Sequence, residues 1–171
     1  MIINRVIVGE LRENCYILED NNDVIVIDPG DDFSKIKPYI DNKNIIAVLV
    51  THHHFDHVGA LNYFDEDKIY DINKLEEKEY HFNNFKFEVI YTKGHKEDAI
   101  TFYFKNENVM FTGDFIFRDS IGRTDLPGGN MEEMLLSLDK ISNYNDDITI
   151  YPGHGPKTNL GYEKNNFKFY Y

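Results

Sequence analysis

His52, His54, Asp56 and His57 fall within six positions of the run Thr51-His52-His53-His54-Phe55-Asp56-His57. Imidazole nitrogen and carboxylate oxygen are the donors that suit zinc, iron and manganese. The preceding residues, Ile45-Ile46-Ala47-Val48-Leu49-Val50, are continuously apolar, as expected of a strand covered on both faces. A strand that stops at such a cluster delivers several ligands to one point. Alternate side chains share a face in extended backbone, so His52 and His54 point at one ion while His53 points away. A bend into a helix then turns Asp56 and His57 towards a second position nearby. Histidine runs also arise on solvated loops, but this one ends a strand.

Three more candidate ligands stand in turn-like settings: His95 in Gly94-His95, Asp114 in Gly113-Asp114, and His154 in Pro152-Gly153-His154-Gly155. Each alone reads as a surface turn residue. Together they follow three expected strands, at 89–92, 109–112 and 148–151, whose ends converge on one sheet edge. Their joint occurrence carries the inference that all four segments meet at a metal centre.

The elements that position them are legible in outline. Short β-branched segments at 2–8, 15–19 and 24–27 predict strands, and Asp28-Pro29-Gly30 predicts a turn. Phe33, Ile36 and Ile40 have helical spacing, against which Pro38 counts. A helix is expected over 57–64, directly after the cluster. Hairpins are expected at 81–87 and around Lys105-Asn106-Glu107-Asn108. The clearest helix is 131–141, with Met131, Met134, Leu135, Leu138 and Ile141 on one stripe and Asn130 with Glu133 as a capping pair. The tail Phe167-Lys168-Phe169-Tyr170-Tyr171 reads as packing or an edge strand.

The 171 residues fit one domain, 1–171, of α/β (α+β) type, and the 42% hydrophobic share supports a folded globule. A formal net charge of −12 excludes a nonspecific grip on nucleic acid. No apolar run approaches the ~20 residues of a membrane helix, and the N-terminus does not read as a secretory signal, so a cytoplasmic location is expected. Cys15 is the only cysteine, which leaves no intrachain disulfide and reads as a buried, inert thiol.

The ligand turns, in their order and spacing, match the metallo-β-lactamase superfamily. The stretch Ser120-Ile121-Gly122-Arg123-Thr124-Asp125-Leu126-Pro127-Gly128-Gly129 further resembles its short bacterial hydroxyacylglutathione hydrolase-like (glyoxalase II-like) branch. This resemblance implies an αββα sandwich with two divalent metal ions at one edge, zinc first, with ferrous iron or manganese as alternatives. It assigns His52, His54 and His95 to one ion, Asp56, His57 and His154 to the other, and Asp114 to a bridge. It also implies hydrolysis of a small-molecule acyl thioester by a metal-bound hydroxide, since two close divalent ions lower the pKa of a shared water. Asp56 is the expected catalytic residue, holding the second metal and accepting a hydrogen bond that aims the nucleophile.

The sequence departs from that branch in two places, the turn at His95 and Asn165-Asn166-Phe167 where the branch often carries Asn-Pro-Phe, and from glyoxalase II proper in a third. Lys93-Gly94-His95-Lys96-Glu97-Asp98 stands where the branch usually reads Pro-Gly-His-Thr-Pro-Gly, and the chain ends at Tyr171 without the C-terminal helical region through which glyoxalase II proper binds glutathione. A loose preference for the thiol carrier is therefore expected. Lys93, Lys96, Arg118, Arg123 and Lys157 lie near the ligand turns, either to attract an anionic substrate or to offset carboxylates. Arg123 and Asp125 are expected to brace their loop. The rival function is an iron-dependent persulfide dioxygenase, which shares the Gly-Arg-Thr-Asp stretch. A non-catalytic metal-binding module and a β-lactam hydrolase are the remaining alternatives. The acyl group, thiol carrier and oligomeric state are open.

Overall fold

Alternation along the N-terminal strands sorts their side chains to two different cores. In the computed structural model, which describes residues 1–171, β1 (Ile2–Val8), β2 (Glu13–Asp20), β3 (Asp23–Ile27), β4 (Asn44–Leu49) and β5 (Ile69–Tyr70) form one five-stranded sheet in that order. Val24 and Val26 face one side with Cys15 and Ile17, against Ile36 and Ile40 of helix α1 (Phe33–Ile40). Ile25 and Ile27 face the other side with Tyr16 and Leu18. Pro38 does not break α1, and Ile36 and Ile40 still bury.

The second sheet has six strands, in the order β13 (Thr158–Asn159), β12 (Thr149–Pro152), β9 (Val109–Gly113), β8 (Ile100–Phe104), β7 (Phe85–Tyr91) and β6 (Glu79–Phe82). Phe87, Val89, Phe102 and Phe111 meet the first sheet's Ile25, Ile27 and Leu49 in a shared central core. Its other face buries Ile90, Met110 and Ile150 against Met134, Leu138 and Ile141 of α3 (Met131–Ile141) and against Leu160 and Phe167 of α4 (Leu160–Phe167). The layers therefore run helix, sheet, sheet, helix: a single-domain αββα sandwich. A two-stranded ribbon, β10 (Ile116–Phe117) with β11 (Ser120–Ile121), completes the strands.

The expected helix after the cluster differs from the structure. Helix α2 spans only Phe55–Val58, so it contains Asp56 and His57 rather than following them, and a separate 3-10 turn covers Leu61–Tyr63. The break has a tertiary cause: the Ala60 N–H donates to the Pro29 carbonyl at 2.9 Å, pinning the chain to the turn after β3. The tail is not an edge strand either. Helix α4 is capped by Asn159, and its last residue, Phe167, packs into the second core. At α3 the Asn130 side chain accepts from Glu132 N and Glu133 N at 2.8 and 3.1 Å. The reciprocal bond from Glu133 is replaced: the Asn130 N–H donates to the Gly94 carbonyl at 2.8 Å, tying the helix start to the His95 turn. No helix is long and apolar enough to cross a membrane.

Candidate metal centre

Parallel pairing sets the direction of the strands that supply the site. β3 runs parallel to β4, and β12 parallel to β9, so the residues after them, Asp28, Thr51-His52, Asp114 and His154, leave each sheet at one edge. β7 lies two antiparallel steps from β9 and delivers His95 to the same edge. Two glycines let these ends close up. A Cβ on Gly113, whose φ is +51°, would lie 2.3 Å from Thr51 Oγ1, and one on Gly153 would lie 2.3 Å from Asp114 Oδ1. The start of β2 stitches the last turn down: Asn14 N donates to Gly153 O at 2.7 Å and Asn14 Nδ2 to Pro152 O at 2.9 Å.

His52, His54 and His95 converge as expected. His54 Nδ1 lies 3.0 Å from His52 Nε2 and 2.9 Å from His95 Nε2. The outer contacts of the rings decide what those nitrogens carry. Thr51 Oγ1 donates its one proton to Asp28 Oδ2 at 2.6 Å, so it accepts from His52 Nδ1 at 3.1 Å. His95 Nδ1 lies 2.8 Å from the Arg123 carbonyl, which can only accept. Both rings therefore turn Nε2 lone pairs inward onto His54 Nδ1, whose single proton could satisfy only one of them. A cation satisfies all three.

The second cluster repeats the logic with carboxylates. His57 is fully buried, and its Nδ1 donates to Asp28 Oδ2 at 2.9 Å. Its Nε2 has no hydrogen-bond partner and lies 3.3 Å from Asp114 Oδ1, which has none either. His154 Nδ1 donates to the Leu11 carbonyl at 3.2 Å, turning Nε2 towards Asp56 Oδ2 at 3.1 Å. Asp114 Oδ2 lies 3.6 Å from both His95 Nε2 and His154 Nε2, between the two groups. Orphaned donor atoms aimed at one another in a buried space are what a cation's ligands look like without the cation, so the residues fit divalent metal. His52–His54–His95 and Asp56–His57–His154 each gather within the span one ion could bridge.

Charge follows from burial. Desolvation, aided by the neighbouring imidazoles, drives the His52 pKa well below its ordinary value. Burial alone would lower His57 too, but the Asp114 and Asp28 carboxylates flanking it raise it well above the usual imidazole range. Burial opposes ionisation of Asp114 and Asp56 as well, yet their histidine contacts hold both carboxyls below the usual range.

Asp28, which sequence reasoning treated only as a turn, is the main omission. Its carboxylate accepts from Thr51 N at 2.7 Å, Thr51 Oγ1 and His57 Nδ1, so it orients rings of both clusters. These bonds occupy it, which favours an orienting role over ligation although it lies near His52 and His57. The Asp-Pro-Gly signal marked the turn, and only the fold shows what its side chain reaches. His53 points outward to Asp98 and Asp71. Arg123 and Asp125 form the expected pair, and it is two-pronged, both contacts 2.7 Å. Cys15 is fully buried in the α1-side core, where burial pushes its thiol well up.

The model of the metallo-beta-lactamase superfamily matches residues 8–86 and 63–154. The chain belongs to that superfamily. A hydroxyacylglutathione hydrolase of Haemophilus influenzae is 30% identical, the match covering 99% of this chain and 98% of that protein. Among solved structures, the B3 metallo-beta-lactamase BLEG-1 superposes with a TM-score of 0.91 at 28% identity, covering 99% of each chain. TTHA1623, solved in a di-iron-bound form, superposes with a TM-score of 0.86 at 30% identity, covering 97% of this chain and 99% of that one. Superfamily and fold agree with the layers and the strand-edge site described above.

Proposed function

We propose that this chain is a metal-dependent hydrolase of acyl thioesters that works with two divalent ions, zinc first. The observation that carries the reading is the placement of Asp114 between two donor sets whose inward-facing nitrogens have no other use. Similarity to a hydroxyacylglutathione hydrolase over nearly the whole of both chains supports the reaction class.

His52, His54 and His95 would hold one ion, Asp56, His57 and His154 the other, with Asp114 shared. Ions bound there would supply the acidity that yields a nucleophilic water near neutral pH and the positive charge that steadies the developing oxyanion. The chain's own groups do the aiming. Asp56 Oδ2 is engaged by His154, leaving its other oxygen to accept a hydrogen bond from the attacking water and fix its direction. Asp28, Thr51, Arg123 O and Leu11 O hold the rings in the tautomers whose free nitrogens would take the ions. The leaving thiolate departs without strong acid assistance.

The protein reconstituted separately with zinc and with ferrous iron is offered S-lactoylglutathione, other acyl thioesters, glutathione persulfide and a cephalosporin. Thiol release without oxygen uptake in the zinc form is the expected result. Oxygen consumption and sulfite formation confined to the iron form, or ring opening of the cephalosporin with the thioesters untouched, would overturn it.

A further inference from the structure

Three surface hollows follow one another along the rim beside His154. The first, about 410 Å³, is lined by Arg5 and Arg12 and reaches His154-Gly155-Pro156. The second, about 400 Å³, shares those three residues and is closed by Phe117 and Arg118. The third, about 360 Å³, continues from Arg118 to Lys157 and Tyr162. Three of the chain's four arginines thus stand around one candidate ligand, in a protein of net charge −12.

These cations are less tied to carboxylates than many of the chain's lysines. Lys35, Lys37, Lys43, Lys140 and Lys164 each contact an acidic side chain. Arg12 and Lys157 contact none, and Lys157 sits only over the Tyr151 ring at 5.9 Å. Arg5 places its guanidinium by donating to the Gly155 carbonyl at 3.0 Å, and Arg118 has a long, exposed contact of 3.8 Å with Asp119. A positive rim works against loading a cation pair next to it, so metal binding gives no reason for it. An anion passing that rim does.

We propose that the thiol carrier of the substrate is phosphorylated, and that Arg5, Arg12, Arg118 and Lys157 hold its phosphates along this track. The proposal rests on the thioester reading. The charge count favours phosphate over a peptide thiol: four cations match a carrier with several negative charges, whereas glutathione offsets its two carboxylates with its own ammonium. Guanidinium forks fit phosphate oxygens two at a time. The third hollow, which does not reach His154, sets Lys157 back from the reacting carbonyl. Phe117, whose ring centre lies 6.2 Å from that of His154, gives the neutral arm an apolar wall.

The test compares acetyl-coenzyme A, S-lactoylglutathione and the uncharged acetyl thioester of N-acetylcysteamine, using the metal-loaded protein. The wild type should prefer the coenzyme A thioester. In Arg12→Ala/Lys157→Ala the ratio of kcat/KM for coenzyme A over the uncharged thioester should fall about tenfold, mainly through KM. The charge-keeping pair Arg12→Lys/Lys157→Arg should restore most of it, which a folding defect would not allow. Adenosine 3′,5′-bisphosphate, which has no thiol, is titrated by calorimetry alongside. Its binding to the wild type, weakened in the alanine pair, supports the track even if no thioester is cleaved, a result that would sink only the hydrolase reading. Preference for the glutathione thioester, an unchanged ratio, or no bisphosphate binding would overturn the proposal.

Discussion

Asp114 lies between the two donor sets, yet they are held by opposite means. In the set of His52, His54 and His95, the outer nitrogens of His52 and His95 rest on uncharged acceptors, Thr51 Oγ1 and the Arg123 carbonyl. Burial there disfavours protonation of His52 and of His54, so this set, braced by neutral contacts, turns those two rings towards a cation. In the set of Asp56, His57 and His154, carboxylates face imidazoles from several sides, and His57 is gripped between Asp28 and Asp114. That arrangement favours a positive charge at its centre, whether from a proton or from a metal. One site is prepared by desolvation, the other by charge compensation, and the two should respond differently to substitution and to pH.

The largest effect should come from the neutral set. His54 Nδ1 is the atom on which both partners converge. His54→Ala should empty the proposed first site and lower kcat/KM by about a thousandfold or more, as expected when metal chemistry is lost. Elemental analysis beside the thioester assay checks this. Full metal content with full activity would mean the convergence is not a metal site.

A smaller and more selective loss separates the sets. Asp28→Ala removes the acceptor for His57 Nδ1 and for Thr51, while every proposed ligand remains. Loss of such an orienting group typically weakens a metal site by about 10–100-fold. Metal titration should show one of the two binding steps moving more than the other, since Asp28 touches His57 directly but His52 only through Thr51. Equal weakening of both steps would show that the two sets are not held independently.

Next comes pH. His57 and His154 have pKa values raised above the reference 6.5; burial opposes protonation in both, and nearby carboxylates outweigh it. In the metal-free protein the stability from these contacts is fully present below 6.5 and fades as pH rises through the raised values. Metal binding needs both rings neutral and so releases protons. The rise in Tm on adding zinc should therefore be larger at about pH 8 than at about pH 6. A shift independent of pH would mean that this set takes no metal.

How much of this could be read beforehand depended on how local the signal was. The Thr51–His57 run sits on one strand end, and its alternation placed His52, His54 and His53 in their observed directions. The three later turns were found because glycine and an apolar strand precede each. Alternating apolar residues in β3 and the helical stripe of α3 marked their buried faces directly. Arg5, Arg12 and Asp28 escaped because their roles are long-range: Arg5 meets a carbonyl 150 positions away, and Asp28 reaches His57 across the β4 crossover. Helix α4 escaped because only Leu160, Glu163 and Phe167 bury along it, too sparse a stripe to stand out. The premature end of α2 depends on the Ala60 contact with Pro29, which no local pattern encodes.

The smallest effect sharpens the comparison from outside both sets. His53 lies between two proposed ligands in sequence, but its ring is 37% exposed, with Nδ1 at 2.6 Å from Asp98 Oδ2 and Nε2 at 3.2 Å from Asp71 Oδ2. The Asp98 hydrogen bond raises its pKa, against burial, so the ring helps anchor the Thr51–His57 run to the segments carrying Asp98 and Asp71. The His53 backbone N–H also donates to Asp98 Oδ2 at 3.1 Å, and this bond survives side-chain removal. Exposed ion pairs of this kind contribute about 0–1 kcal/mol. His53→Ala should therefore keep the metal content of the wild type, hold kcat/KM within about twofold, and lower Tm by a few degrees at most. Its contribution should shrink further as pH rises through its raised pKa, because the pair with Asp98 then loses its charge. Were His53→Ala to lose as much metal and activity as His54→Ala, the alternation that separates bystander from ligand would be wrong, and the boundary of the neutral set would have to be redrawn around His53.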